Sequence, residues 1–517
     1  MRTGGLLIAG TTSDAGKSVL TAALCRWLAR QGVRVAPFKA QNMSNNSAVT
    51  AGGAEIGRAQ AMQAAAAGVP AEAAMNPVLL KPGGDRESQV VVMGRPLATA
   101  SAVSYQALKK QLLGTVLDAY DDLRSRFDVV VSEGAGSPAE INLRADDLVN
   151  LGLARARNLP VLVVGDIDRG GVLAAFHGTV ALLDAADQAM VCGFVVNKFR
   201  GDQSVLDPGL RMVEGFTGRP VLGVLPYLRD VWLDAEDALA LDGRPAWAAG
   251  PPVGREPLQV AVVRLPRISN FTDIDALMLE PGVEVSFTTG PRGIAEADLV
   301  VLPGTKTTVA DLAWLRERGI AGALAARAAA GGPILGVCGG YQMLGARIED
   351  EERVESRAGS VDGLGLLPVT TRFDLDKTLA RPAGRGLGAL VTTAYEIHHG
   401  TVTVHGGQSL FRADDPGPPA DEGAPLDGCV EGAVIGTLWH GALETDAFRR
   451  ALLSWTTART GRAFTPAPDT DFAAARTAQY DRLADAVAEH LDTAAIWRLL
   501  EHGPPPGLSL LPPGAHR

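Results

Sequence analysis

Two groups of residues in this 517-residue chain carry the types and spacings that chemistry needs. The first is Gly336-Val337-Cys338-Gly339-Gly340-Tyr341-Gln342, which follows the apolar run Pro333-Ile334-Leu335 and precedes Met343-Leu344-Gly345. That order predicts a strand, a sharp turn and a helix. A cysteine at such a turn stands clear of the sheet, in a backbone conformation that flanking glycines permit, and the helix N-terminus behind it favours the thiolate. The amide of Gly339 then points toward an oxyanion formed on a carbonyl carbon attacked by Cys338. A lone cysteine is more often a small core hydrophobe, so the nucleophile reading requires a base. Of eight histidines, His440 is the best placed, because it directly follows the apolar run Val434–Leu438 in the same part of the chain. His398, His399 and His405 lie in or near Tyr395-Glu396-Ile397-His398-His399-Gly400, which reads as structural or substrate-facing.

The second group is Gly10-Thr11-Thr12-Ser13-Asp14-Ala15-Gly16-Lys17-Ser18, between an apolar strand at 5–9 and an apolar-periodic helix reaching about Arg30. Strand, glycine loop and helix are the setting of a phosphate-binding loop. Backbone N–H groups of the loop and the helix N-terminus face phosphate oxygens, Lys17 neutralises the terminal ones, and Ser18 is a candidate Mg²⁺ ligand. The buried run Phe127–Val131 ends in Ser132-Glu133-Gly134, so the Glu133 carboxylate is a second candidate for Mg²⁺. The expected nucleotide contacts are Thr12, Gly16, Lys17, Ser18 and Asn197, the last following the apolar run Gly193–Val196. ATP and Mg²⁺ are the cofactors this implies.

The elements that must position these groups alternate regularly between strand and helix. Val33–Phe38, Phe127–Val131, Val161–Val164 and Gly193–Val196 read as buried strands of a parallel, doubly wound α/β sheet with its chemistry at their carboxyl ends. Between them, Lys39–Ser47 is a dense run of amides and hydroxyls, and 55–67 reads as an Ala-rich helix. Residues 243–256 read as a linker. A second α/β unit starts at Leu258–Val263 and runs through Leu299–Leu302 to the Cys338 turn. The division expected is 1–242, nucleotide-binding domain; 243–256, linker; 257–450, second α/β domain; 451–517, C-terminal extension. In that extension Tyr480–Leu500 reads as one docked helix, and 503–517, with five prolines, as a loose tail.

The totals exclude other classes. A formal charge of −10 argues against nucleic acid or an anionic membrane as the main partner. Four scattered cysteines without a CxxC pair indicate neither a disulfide framework nor a zinc site. No apolar run approaches the roughly 20 residues of a membrane span, and Leu6-Leu7-Ile8 is too short for a signal peptide. A soluble cytoplasmic protein is expected.

The pattern G-x-C-G-G-x-Q resembles the nucleophile elbow of class I glutamine amidotransferases. The phosphate loop, with five residues between its glycines, resembles that of dethiobiotin synthetase-like ATPases. Partition ATPases carry a signature lysine where this chain has Thr12. Over nearly its whole length the chain resembles the cobyric acid synthases. The most specific pieces are Pro37–Ser47, Glu133–Leu143, Asp166–Gly171 and Leu265-Pro266-Arg267-Ile268-Ser269-Asn270-Phe271-Thr272-Asp273. The resemblance implies a glutamine-hydrolysing, ATP- and Mg²⁺-dependent ligase that amidates the b, d, e and g carboxylates of adenosylcobyrinic acid a,c-diamide, with glutamine and the corrinoid as small-molecule partners. It also implies Cys338 and His440 as the catalytic pair, with Gly304, in the turn Leu302-Pro303-Gly304-Thr305, supplying the other half of an oxyanion hole with Gly339. The wider amidotransferase class has a glutamate two places after its histidine, where this chain has Ala442. The third triad position is therefore open, with Glu444 a weakly supported orienter. Two other readings stand: a cobyrinic acid a,c-diamide synthase, and a P-loop regulatory ATPase with a non-catalytic glutaminase-like domain.

Overall fold

The computed structural model describes residues 4–83, 87–229, 231–234, 250–414 and 424–512. Two compact units divide the chain, and they do not follow its order. One comprises Met1–Ser44, Ile56–Leu233 and Arg476–Arg517; the other comprises Asn45–Glu55 and Asp234–Ala475. A short strap from the N-terminal half therefore belongs to the second unit, and the C-terminal helices belong to the first. The chain-order division expected above differs on both counts, because burial of apolar faces decides membership. Half of the expected linker, 243–249, lies outside the described residues, as do residues 415–423.

The first unit is built on a six-stranded sheet in the order Val221–Pro226, Val191–Phe199, Val161–Asp166, Gly4–Gly10, Val129–Glu133, Val35–Phe38. Every pairing is parallel. Crossover helices cover both faces, which is why these strands are continuous apolar runs rather than alternating ones. Leu6, Leu7 and Ile8 are fully buried, each worth about 1.5–3 kcal/mol of apolar burial. The helix expected over 55–67 starts later, at Arg58. The single helix expected over 480–500 is two, Phe472–His490 and Thr493–His502. Asp492 causes the break: its side chain accepts from the Ala495 N–H and caps a new helix. Leu483, Val487, Ile496, Leu499 and Leu500 of these helices join the core around Leu6, Ile8 and Leu24. The proline-rich end is docked as far as Leu511, and residues 513–517 lie outside the described residues. Gln188 brackets the Leu511 backbone at 2.8 and 3.0 Å, and buried Arg219 donates to the Ser509 carbonyl.

The second unit carries its own six-stranded sheet, ordered Val283–Thr288, Leu258–Val263, Leu299–Leu302, Ile334–Val337, Val434–Thr437, Cys429–Glu431. All neighbours are parallel except the last pair. A long antiparallel arm, Val369–Ala380 against Glu396–Val404, stands beside it. Ile334–Val337 and Val434–Thr437 are adjacent and parallel, so the residues following them, Cys338 and His440, emerge at the same sheet edge. Among the described residues no helix is long and apolar enough to cross a membrane.

Candidate active site

Cys338 sits where the strand Ile334–Val337 turns into the short helix Gly339–Leu344. Its φ of 50° and ψ of −112° are strained for a residue with a Cβ, the conformation that lifts a nucleophile off a sheet at the cost of about 1–3 kcal/mol. The Cys338 N–H bonds the Thr437 carbonyl at 2.8 Å, and the Gln342 N–H bonds the Cys338 carbonyl at 3.0 Å, which fix the turn. The Gln342 side chain is held in turn by Thr308 (3.3 Å) and by the His399 carbonyl (3.2 Å).

His440 is 1 % exposed. Reciprocal backbone bonds to Tyr395, 2.9 and 3.0 Å, hold it in place, and the Tyr395 ring stacks on the imidazole at 5.3 Å between centroids. Its Nδ1 lies 2.7 Å from Asp273 Oδ2, and Asp273 Oδ1 accepts the Gly441 N–H, also at 2.7 Å. Burial would lower the histidine, but Asp273 and the facing Cys338, each by charge and hydrogen bonding, push it up to about 10. Asp273 thus takes the orienting position left open by Ala442. Glu444 lies in the turn Ala442–Glu444 that follows the histidine. Asp273 was missed because it precedes His440 by 167 residues. The signal was present, since it ends Leu265–Asp273, one of the stretches that carry the family resemblance.

Gly304 faces His440: a Cβ there would stand 3.0 Å from the ring Cε1 and 3.0 Å from the Ser269 carbonyl, so any side chain at this turn would crowd the imidazole. Gly339 directly follows Cys338 and packs against Thr305 of the same turn. Both expected oxyanion positions therefore border the Cys338–His440 pair.

In the other unit, Gly16 has a φ of 105°, open to glycine, and precedes the helix Lys17–Arg30. Lys17 Nζ donates to the Thr12 carbonyl at 2.8 Å and the Gly136 carbonyl at 3.0 Å, tying the loop to the turn after Glu133. Asn197 Nδ2 donates to the Ala15 carbonyl at 3.0 Å, so this side chain braces the loop. Ser18 Oγ lies 2.8 Å from Glu133 Oε1. Two partners unforeseen in the sequence also hold Glu133: Lys39 at 2.9 Å and Gln63 at 2.5 Å. Burial opposes ionisation of Glu133, and Lys39 with bonds from Gln63 and Ser18 outweighs it, keeping the carboxyl below its usual range. A serine hydroxyl beside one carboxylate fits Mg²⁺, which takes few protein ligands and completes its shell with water and phosphate. Lys39 lies on the same oxygen and would compete with a cation there.

Family models match in the same two places: a CobQ/CobB/MinD/ParA nucleotide binding domain over residues 6–239 and a CobB/CobQ-like glutamine amidotransferase domain over 259–448. Full-length relatives include proteins named cobyric acid synthase from Frankia casuarinae (60 % identical) and Streptomyces coelicolor (59 %), each alignment covering 99 % of both chains. A third, from Streptomyces avermitilis, is 60 % identical with the same coverage. The chain belongs to the cobyric acid synthase family, the glutamine-hydrolysing amide ligases of cobalamin biosynthesis.

Proposed function

We propose that this chain amidates the b, d, e and g carboxylates of adenosylcobyrinic acid a,c-diamide, using ATP in one unit and ammonia released from glutamine in the other. The observation that carries the glutaminase half is the buried Cys338–His440–Asp273 arrangement at one sheet edge. Asp273 holds the His440 Nδ1 proton, which leaves Nε2 to take the Cys338 proton as the thiolate attacks the glutamine amide carbon. The Gly339 amide and the Gly304 turn stabilise the oxyanion. His440 then returns its proton to the departing ammonia, and water releases glutamate from the thioester.

A carboxylate does not react with ammonia at neutral pH, so the acceptor must first be phosphorylated. Lys17 neutralises the transferring phosphoryl group, and the loop amides from Thr12 to Gly16 hold it, with Asn197 bracing the loop. Ser18 and Glu133 are the residues that would hold Mg²⁺, which when bound neutralises phosphate charge. All four cysteines are free and buried, in keeping with the reducing cytoplasm in which we place the reaction.

The test is incubation with the a,c-diamide, ATP, Mg²⁺ and glutamine, followed by product mass. Four added amides support this reading, whereas two added to the free cobyrinic acid would support the a,c-diamide synthase. Cys338→Ala should abolish glutamine-dependent amidation and leave amidation from ammonium salt largely intact. Loss of both in a folded protein would mean that Cys338 serves another purpose.

A further inference from the structure

The segment Gly134–Asn150 follows Glu133 and borders the phosphate loop, since Lys17 donates to the Gly136 carbonyl at 3.0 Å. Glu140 folds back over Gly136. Its Oε1 accepts the Ser137 N–H at 3.2 Å and lies 2.6 Å from where a Cβ on Gly136 would stand. Asn150 Nδ2 donates to the Ala135 carbonyl at 2.7 Å, which closes the two ends of the segment on each other. Asp147 accepts the N–H groups of Val149, Asn150 and Gly152 at 2.9, 3.0 and 3.0 Å. Arg144 donates to buried Asp187 at 2.7 Å. The loop is braced along its length.

What this braced loop presents to solvent is apolar. Its 3₁₀ turn Ile141–Asp146 buries none of its own side chains, and Ile141 and Leu143 are 48 % and 43 % exposed. Single exposed apolar residues are ordinary on a protein surface. Here two stand on one turn, which begins five residues beyond the carbonyl that holds Lys17. Five residues span at most about 17 Å of extended chain, and the hook at Glu140 shortens that. A molecule resting on Ile141 and Leu143 is therefore within reach of the phosphoryl group that Lys17 neutralises. Of the molecules that the reaction brings to this end of the sheet, the corrinoid has the large apolar body: a broad macrocycle with methyl-bearing faces and carboxylate arms around its rim.

We propose that Ile141 and Leu143 seat the corrin ring, holding the macrocycle by its apolar body while a rim carboxylate reaches the phosphoryl site. This rests on the reading of the chain as the ligase that amidates the b, d, e and g carboxylates. Those carboxylates leave the ring in different directions, and each must reach the loop of Lys17. The ring is therefore presented in more than one orientation. Hydrogen bonds to fixed rim groups would favour one of them, whereas apolar contact is non-directional and serves each. A braced loop also loses little conformational freedom on making that contact.

The test is equilibrium dialysis of adenosylcobyrinic acid a,c-diamide against the full-length protein, read by the absorbance of the corrinoid. Taking a half-exposed aliphatic side chain out of a contact costs several-fold in affinity. In Ile141→Ser/Leu143→Ser the Kd should rise about tenfold or more, while the Kd for ATP stays within about twofold and reports the fold. The fully amidated product, which lacks the rim carboxylates, should weaken by the same factor, and all four amidations at low corrinoid should slow together. Phe216→Ser is the control. Phe216 is 61 % exposed at the far end of the helix Gln203–Thr217, beside the amino end of Val221–Pro226, and its loss should leave the corrinoid Kd unchanged. Three results overturn the proposal: an unchanged corrinoid Kd in a double variant that binds ATP, a loss confined to the substrate or to one carboxylate, and an equal loss in Phe216→Ser. If the double variant binds no ATP, Leu143→Ser alone decides, with about a threefold rise expected and an unchanged Kd overturning the proposal. A parent protein that binds no corrinoid, or adds other than four amides, would instead overturn the reading beneath it.

Discussion

Replacing Asp273 with asparagine changes two atoms' chemistry and almost no volume, at a residue that both holds the His440 Nδ1 and accepts the Gly441 N–H, each at 2.7 Å. Asparagine cannot serve both. If its oxygen keeps the Gly441 N–H, its amide N–H₂ meets Nδ1 and drives the ring proton to Nε2, where it blocks transfer from Cys338. If it flips, two donors meet at Gly441 in a buried site, costing about 1–3 kcal/mol. The lost carboxylate charge adds to this, since a pair at about 4 Å in an effective dielectric of about 20 is worth about 4 kcal/mol to the imidazolium. Together these give about 5–7 kcal/mol, of the order of the 10⁴-fold loss that follows neutralising a serine-protease triad aspartate. The assay is glutamine-dependent against ammonia-dependent amidation in Asp273→Asn. We expect glutamine-dependent kcat to fall about 10³- to 10⁴-fold, with KM for glutamine little changed and ammonia-dependent turnover retained. A loss under tenfold in a folded protein would refute Asp273 as the orienter.

Further expectations concern residues on either side of this site. Glu444→Gln should change glutamine-dependent turnover by less than about threefold, because Asp273 already holds Nδ1; a loss matching Asp273→Asn would reverse that ranking. Lys17→Ala should stop amidation from either nitrogen source, and normal ammonia-dependent turnover would remove the phosphate-loop assignment. His398 is pushed down to about 4, chiefly by burial, and its Nε2 is buried without a hydrogen-bond partner. Between pH about 6.5 and about 4 the unfolded chain binds a proton that the folded chain refuses. That contribution is therefore full above about 6.5 and lost as pH falls through 4, by up to about 3 kcal/mol. His398→Phe should show a smaller drop in urea midpoint from pH 7 to 4.5 than the parent, and an equal drop would show that His398 does not titrate this way.

Local pattern carried the sequence reading wherever the determinants lie within a few residues of each other. The phosphate loop needs only a strand, a glycine turn and a helix start in succession, and Gly10–Ser18 has all three. The elbow likewise needs only the order around Cys338, and its glycines are adjacent to it. The parallel sheets were legible because strands covered on both faces must be continuously apolar, as Val161–Val164 and Leu299–Leu302 are. What the tertiary structure decided depends on contacts between residues distant in sequence. Asp273 is an unremarkable carboxylate until parallel strands bring Cys338 and His440 to the edge where it stands. Lys39 becomes a partner of Glu133 only because Val35–Phe38 pairs with Val129–Glu133, and Gln63 only through the packing of the helix Arg58–Ala67. The membership of Asn45–Glu55 in the second unit, and of the C-terminal helices in the first, has no periodicity or composition to announce it. The hydrogen bonds that Asn270 accepts from the Ser47 N–H and donates to Asn46 Oδ1, and the burial of Leu499 and Leu500 against the first sheet, are long-range choices made by complementary surfaces, and one chain segment does not contain both sides of them.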